Sequence, residues 1–213
     1  QYPFAFTYET EDLRLLPVRA MHTNKGSYGK VLLTGGAVNM AGAVYLAGKA
    51  AYRTGSGLVK LLSSEGNRIV LQSILPEALY TSWQQENALE ESLSWASVVG
   101  IGPGLGISQD TKELMKKICQ CWHGPLVIDA DGLNILAKTP EYLHNTKAKV
   151  IITPHPGEMA RLTGKPIHEI LDNLAETAME FASKYHVICV LKDARTIVTD
   201  GKKLFINNSG NHG

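Results

Sequence analysis

The chain has 213 residues, of which 44% are hydrophobic, 19% charged and 7% aromatic, a globular make-up at a length that one α/β domain with a sizeable core can occupy. Lysine and arginine number 21 against 20 aspartates and glutamates, so no basic field exists for nucleic acid or an anionic lipid surface, and neither is an expected partner. No apolar run approaches the ~18 residues of a membrane span, and Lys49 and Arg53 interrupt the most apolar helical stretch.

The sequence begins Gln1-Tyr2-Pro3-Phe4, with neither an initiator Met nor the basic-then-apolar layout of a signal peptide. Residues 1–24, which include Pro3 and Pro17, read as an irregular leader or linker lying on a domain that runs from 25 to 213. From residue 30 onward, strands are predicted at 30–34, 58–62, 97–101, 126–129, 150–153 and 187–192. They are nearly continuous apolar runs, the pattern of a sheet buried on both faces. Helices are predicted at 41–54, Ala-rich and stopped by Gly55, and at 109–122, with Leu114, Ile118 and Cys121 on one face. A third, at 168–185, carries Ile170, Leu171, Leu174, Ala178, Phe181 and Ala182 at close to the helical period. This alternation predicts an α/β fold, a mostly parallel sheet with helices on both faces. At the end, 196–199 and 204–207 flank Asp200-Gly201 and predict a C-terminal β-hairpin. Cys119, Cys121 and Cys189 are an odd set without metal-ligand spacing, as in a reduced cytoplasmic protein.

Ligands of open α/β sheets bind beyond the carboxyl ends of the strands, so those ends carry the candidate sites. The first strand is followed by Gly35-Gly36 and then Met40-Ala41-Gly42-Ala43 at a helix start. Small residues there let a ligand reach backbone N–H groups, or simply make a tight turn. It is no Walker loop, because none of the Gly-Lys pairs has the required spacing. Gly102-Pro103-Gly104-Leu105-Gly106 follows the third strand, and a stiff glycine loop with exposed amides suits phosphate or pyrophosphate. Asp129-Ala130-Asp131-Gly132-Leu133-Asn134 either positions a cation or hydroxyl group, or has Asp131 capping the next helix. In Thr153-Pro154-His155-Pro156-Gly157-Glu158, Pro156 extends His155 and can start a helix. That stretch is either a cap with a dipole-favoured Glu158, or a site where His155 touches substrate and Glu158 helps to hold Mg²⁺. Lys192-Asp193-Ala194-Arg195-Thr196 is a solvated turn or a grip on nucleotide phosphates.

Taken in order, these segments resemble the ADP/ATP-dependent NAD(P)H-hydrate dehydratases. The resemblance is carried by Lys25-Gly26-Ser27-Tyr28-Gly29-Lys30-Val31, the Gly35–Ala43 region, Ala51-Tyr52-Arg53-Thr54-Gly55-Ser56-Gly57-Leu58-Val59, Leu75-Pro76-Glu77-Ala78, the loop at 102–106, the stretch at 127–134 and the stretch at 153–158. It implies a ribokinase-like fold and an enzyme, a hydro-lyase that repairs hydrated NADH or NADPH. ADP or ATP would phosphorylate the substrate hydroxyl, and loss of phosphate would restore the nicotinamide ring. It also implies a cytoplasmic homo-oligomer, often a tetramer. By matching position, Ala43, Gly102, Gly104, Gly106, Asp131, Asn134 and His155 would meet the dinucleotide. Lys192, Asp193, Ala194, Arg195 and Thr196 would meet nucleotide phosphate, with Asp193 where the family has Gly, and Glu158 would serve Mg²⁺. The family's Gly-[Ser/Thr]-Gly-Asp turn, which supplies an anion hole and the general base, is expected just after the segment matched by Asn208–Gly213, so the catalytic Asp would lie beyond Gly213. By that reading the 213-residue stretch is a C-terminally incomplete domain, inactive or weak by itself. Leu15-Leu16-Pro17-Val18-Arg19 resembles the junction that follows the epimerase domain in bifunctional members. The alternatives are a ribokinase-like vitamin-precursor kinase, which would favour Asn over His155, and a non-catalytic nucleotide-binding module.

Overall fold

A computed structural model describes residues 5–209. Two expectations fall outside the described residues. One is the part of the leader that holds Pro3. The other is the approach to the catalytic turn, Gly210 to Gly213, so the reading that places the family's Asp beyond Gly213 stays an expectation from the sequence. The chain forms two compact units, one being Thr23–Lys149 and the other the described residues on either side of it.

The unit Thr23–Lys149 holds β1 (Lys30–Thr34), β2 (Leu58–Ser63), β3 (Leu79–Ser82), β4 (Val98–Ile101) and β5 (Pro125–Ile128). They are all parallel, in the order β3-β2-β1-β4-β5. Parallel neighbours require crossover connections, supplied by α1 (Ala41–Arg53), α2 (Arg68–Ile74), α3 (Ala88–Trp95) and α4 (Gln109–Cys121), with α5 (Asp131–Leu136) and α6 (Glu141–Asn145) after β5. Successive strand residues point to opposite faces. Leu32 beside Leu33, and Leu61 beside Leu62, are all buried, so both faces of the sheet are covered. Leu33, Val59 and Leu61 pack with Val44 of α1 and Leu71 of α2 into one core cluster.

The other unit holds β6 (Lys149–Ile152), α7 (Pro156–Thr163), α8 (Ile167–Asp172), α9 (Leu174–Tyr185), β7 (Ile188–Leu191), β8 (Thr196–Thr199) and β9 (Leu204–Asn207). β6 and β7 are parallel, while β7, β8 and β9 are antiparallel. Asp200 makes the β8–β9 turn, its Oδ1 accepting the Lys202 and Lys203 N–H groups at 2.9 Å each.

Three expectations change. The helix expected over 168–185 is two helices, broken at Asn173 (φ −136°, ψ 46°). Asn173 Nδ2 donates to Glu169 O at 3.1 Å, the local side-chain bond by which Asn competes with helix continuation. β3 was not expected, because its four residues, Leu79-Tyr80-Thr81-Ser82, lie at the sheet edge without an apolar run. The stretch read as irregular contains a 3-10 helix at Thr10–Leu15, and Phe6 pairs with Phe205 on the outer edge of β9. Tyr8 stacks on Phe205 with centroids 5.1 Å apart, which covers an edge that would otherwise present unpaired backbone groups.

Candidate functional site

In the unit Thr23–Lys149, Thr34 pairs with Ile101 and Ile101 with Ile128. This register brings the loops after β1, β4 and β5 to one end of the sheet. The β1 loop and the glycine loop are then bonded to each other: Gly36 N–H donates to Pro103 O at 2.9 Å and Ala37 N–H to Gly104 O at 2.6 Å. Gly104 has φ +58°, and a Cβ there would lie 2.9 Å from Ala43 Cβ and 3.1 Å from both Met40 Cβ and Met40 O. Glycine is therefore what lets this loop press against the first turn of α1. That turn is open, since Met40 stands at the N-cap and makes no side-chain cap bond. The first N–H groups of an uncapped helix form a partly positive, anion-receptive end.

Asp131 loses one of the two roles considered for it. It does not cap α5. Its Oδ2 accepts the Gly106 N–H at 2.8 Å and its Oδ1 the Asn134 Nδ2–H at 3.3 Å, which ties the glycine loop to the turn after β5. The loop is thus less open than expected: Gly102 N–H goes to Thr34 O, Leu105 N–H to Gly102 O and Gly106 N–H to Asp131. Proline has no N–H, so Gly104 keeps the loop's one N–H without a partner among the described residues.

In the other unit, Ile152 pairs with Cys189, which sets 153–158 beside 192–196, and Lys192 N–H donates to Pro154 O at 2.8 Å. His155 is the N-cap of α7, with Pro156 in its first turn. His155 Nδ1 accepts the Gly157 N–H at 3.0 Å, and Glu158 Oε2 accepts the His155 N–H at 2.9 Å. The cap reading of this stretch is therefore realised, although it does not use up either side chain. With Nδ1 an acceptor, the neutral imidazole carries its proton on Nε2, 3.6 Å from Glu158 Oε1. The His155 side chain is 51% exposed and that of Glu158 only 8%. Asp193, Ala194 and Arg195 form an exposed turn, and Arg195 makes no ion pair among the described residues.

A family model described as NAD(P)H-hydrate dehydratase matches residues 31–213. The chain belongs to this family. The bifunctional NAD(P)H-hydrate repair enzyme of Vibrio cholerae is 37% identical over 199 residues, covering 93% of this chain and 39% of that protein; the chain thus spans well under half of this relative's length. Among solved structures, a ribokinase-like superfamily protein of Enterococcus faecalis superposes with a TM-score of 0.86 at 24% identity, over 99% of this chain and 74% of that one. The Bacillus subtilis ADP/ATP-dependent NAD(P)H-hydrate dehydratase, co-crystallised with ATP and Mg²⁺, gives a TM-score of 0.82 at 29% identity, over 97% and 74% of the two chains. The fold is ribokinase-like.

The residues implied by likeness to the NAD(P)H-hydrate dehydratases fall into two groups. Ala43, Gly102, Gly104, Gly106, Asp131 and Asn134 share the strand ends of the first unit, and His155, Glu158 and 192–196 share those of the second. Among the described residues no group of three or more His, Cys, Asp or Glu could hold a metal ion. A single carboxylate is nevertheless enough for Mg²⁺, which keeps several waters and takes its other ligands from substrate phosphates. Glu158 fits that part through Oε1. Sequence reasoning missed Ser63 and Asn67, whose side chains hold the carbonyls of Gly36 and Ala37. The contacts span 27 to 31 residues, and no local pattern announces them.

Proposed function

We propose that this chain carries the ADP- or ATP-dependent dehydration of hydrated NADH or NADPH, a repair reaction. The observation that carries the reading is the uncapped first turn of α1 with Gly104 packed against it, an anion-receptive surface suited to a dinucleotide's phosphates. Ala43 and the 102–106 loop would hold the dinucleotide, Asp131 and Asn134 would keep that loop in place, and the exposed His155 ring would offer Nε2–H to the substrate. The turn Lys192–Thr196 would bind the nucleotide's phosphates through Arg195 and backbone N–H groups. Glu158 would be the protein-side carboxylate for Mg²⁺, which neutralises phosphate charge when bound. In the reaction the substrate hydroxyl gives up its proton to a general base as its oxygen takes the terminal phosphoryl group and the bond to the nucleotide breaks. The C–O bond then breaks, phosphate leaves with the electron pair, and loss of a ring proton restores the double bond.

The reading extends to setting. Among the described residues no helix is long and apolar enough to cross a membrane, and the three cysteines are free, which supports a cytoplasmic location. Leu46 of α1 and Ile69 and Ile74 of α2 are exposed, which supports a homo-oligomer. The bifunctional relative supports an additional domain, an epimerase, in the full-length protein.

The test is recovery of nicotinamide absorbance from NADH hydrate or NADPH hydrate with ADP or ATP and Mg²⁺, using the full-length protein. Nucleotide-dependent recovery is expected. A stable phosphorylated small molecule, with no recovery of NADH or NADPH, would refute the proposal in favour of a kinase.

A further inference from the structure

Asn67 stands at the junction of the 3-10 turn Glu65–Asn67 and α2, where asparagine ordinarily caps a helix. It makes no cap bond. Its residue is 4% exposed, and its amide turns toward the β1 loop. Nδ2 donates to Gly36 O at 2.7 Å and to Ala37 O at 3.0 Å, with Ser63 Oγ at 3.3 Å. Gly36 O also accepts the Ser63 hydroxyl at 2.8 Å and the Ser64 N–H at 3.2 Å. The carbonyl side of Gly36-Ala37 is thus held by buried donors. Its N–H side is held by the carbonyls of Pro103 and Gly104, and Ala37 O additionally accepts the Met40 N–H at 2.8 Å, the bond that leads into α1.

Gly36-Ala37 is therefore clamped between Asn67 on one side and the glycine loop on the other, and the same dipeptide sets the start of α1. We infer that Asn67 is a positioning residue of the dinucleotide site, fixing the glycine loop and the open end of α1 relative to each other without itself meeting the ligand. The inference rests on the proposed reading that these two elements hold the hydrated dinucleotide. Its physical content is the direction of the amide. Two N–H bonds point at carbonyl oxygens, and an oxygen in place of Nδ2 would face those carbonyls with no proton to share.

That direction separates positioning from mere filling of space. Asn67→Asp keeps the volume and reverses the polarity. Asn67→Ala removes the donor but leaves Gly36 O with Ser63 and Ser64, and Ser63→Ala removes one donor of three. The probes are NADPH and ATP, titrated separately against the full-length protein and its variants, with a thermal midpoint for each. NADPH affinity should fall roughly tenfold in Asn67→Ala and roughly a hundredfold in Asn67→Asp, the scale of a misplaced binding element. Ser63→Ala should lie between wild type and Asn67→Ala, and ATP affinity should hold within about twofold throughout. Asn67→Asp binding NADPH as wild type does, or ATP and NADPH affinity falling together in folded variants, would overturn the inference alone. Wild-type protein that binds ATP but no NADPH would overturn the reading beneath it and the inference with it. If Asn67→Asp does not fold, Asn67→Ala and Ser63→Ala carry the same NADPH-against-ATP comparison.

Discussion

Gly104→Ala tests the packing on which the site reading depends. Two costs add at this position. An alanine held at φ +58° sits in the left-handed region, which is unfavourable by about 1–2 kcal/mol for a residue with a Cβ. The new methyl would also lie 2.9 Å from Ala43 Cβ and 3.1 Å from Met40 Cβ and Met40 O, well inside the ~3.5–4.0 Å optimum for carbon contacts. These neighbours are helix backbone and Cβ atoms, which cannot swing aside as a long side chain would, so overpacking adds about 1–3 kcal/mol. The sum is at least about 2 kcal/mol, or about 4–8 °C in midpoint for a chain of this length. Relief comes by moving the glycine loop away from α1, so NADPH affinity should fall with the midpoint while ATP affinity does not. Gly164→Ala is the control. It shares a positive φ of 72° and meets nothing within 4 Å, so it should lose only the conformational cost and leave NADPH affinity unchanged. Thermal denaturation and NADPH titration of the two variants decide the matter. A Gly104→Ala protein within about 0.5 kcal/mol of wild type, with NADPH affinity intact, would refute the reasoning.

Other outcomes follow from the same geometry. Glu158→Gln keeps an oxygen to accept the His155 N–H, so the α7 cap survives and denaturation should show a change within about 0.5 kcal/mol. Turnover at saturating nucleotide should still fall roughly tenfold to a hundredfold if Glu158 serves the nucleotide's Mg²⁺; full turnover would leave the carboxylate as a cap alone. Arg195→Ala, on the exposed turn, should leave the midpoint within a degree or so of wild type and weaken ATP binding roughly tenfold, the scale of one charge-assisted bond, with NADPH binding the readout that should not move. Burial pushes the Cys119 and Cys189 thiols up to about 12, while Cys121 is exposed. A thiol reagent at mildly alkaline pH should therefore label Cys121 in the folded protein and all three cysteines after denaturation. The sign for stability is also fixed. Above the ordinary thiol value of 9.0 the unfolded chain loses protons that the folded one keeps, so stability falls as pH rises from there toward 12. Denaturation midpoints that stay flat over that range would contradict the burial.

Much of the architecture was legible because it depends on local pattern. β1, β2 and β4 are buried on both faces, and the sequence shows this as apolar runs such as Val31-Leu32-Leu33 and Leu58-Val59-Lys60-Leu61-Leu62. The hairpin could be read from Asp200-Gly201 because turn chemistry is local. β3 could not, since an edge strand with one polar half has no run to show. The break at Asn173 was hidden by periodicity that continues across it, with Ile170 and Leu174 four residues apart on either side. The site was half legible on the same grounds. Small residues at strand ends could be seen, but not which of their amides were already used. Asp131 was visible as an acid at a strand end, yet its work is a bond to Gly106 across 25 residues, which no spacing rule contains.

The N-termini of α1, α4 and α7 show why residue identity alone could not rank the candidate sites. Ser108 and His155 begin α4 and α7 with extended backbone, at ψ 172° and 168°, and each closes a capping box with the residue three positions on. Met40 begins α1 at ψ 29°, away from the extended conformation in which a side chain reaches back to the second or third N–H of a helix. A polar residue at position 40 would therefore be poorly placed to cap α1. The openness of that helix is a property of the backbone path through Gly36, Ala37 and Met40, and that path is held by Asn67 and Ser63 on one side and by the glycine loop on the other. The anion-receptive end is thus built by side chains that do not belong to it. A substitution at Asn67 should reach the ligand as surely as one at Gly104, although only Gly104 lies in a loop that a sequence reader would choose.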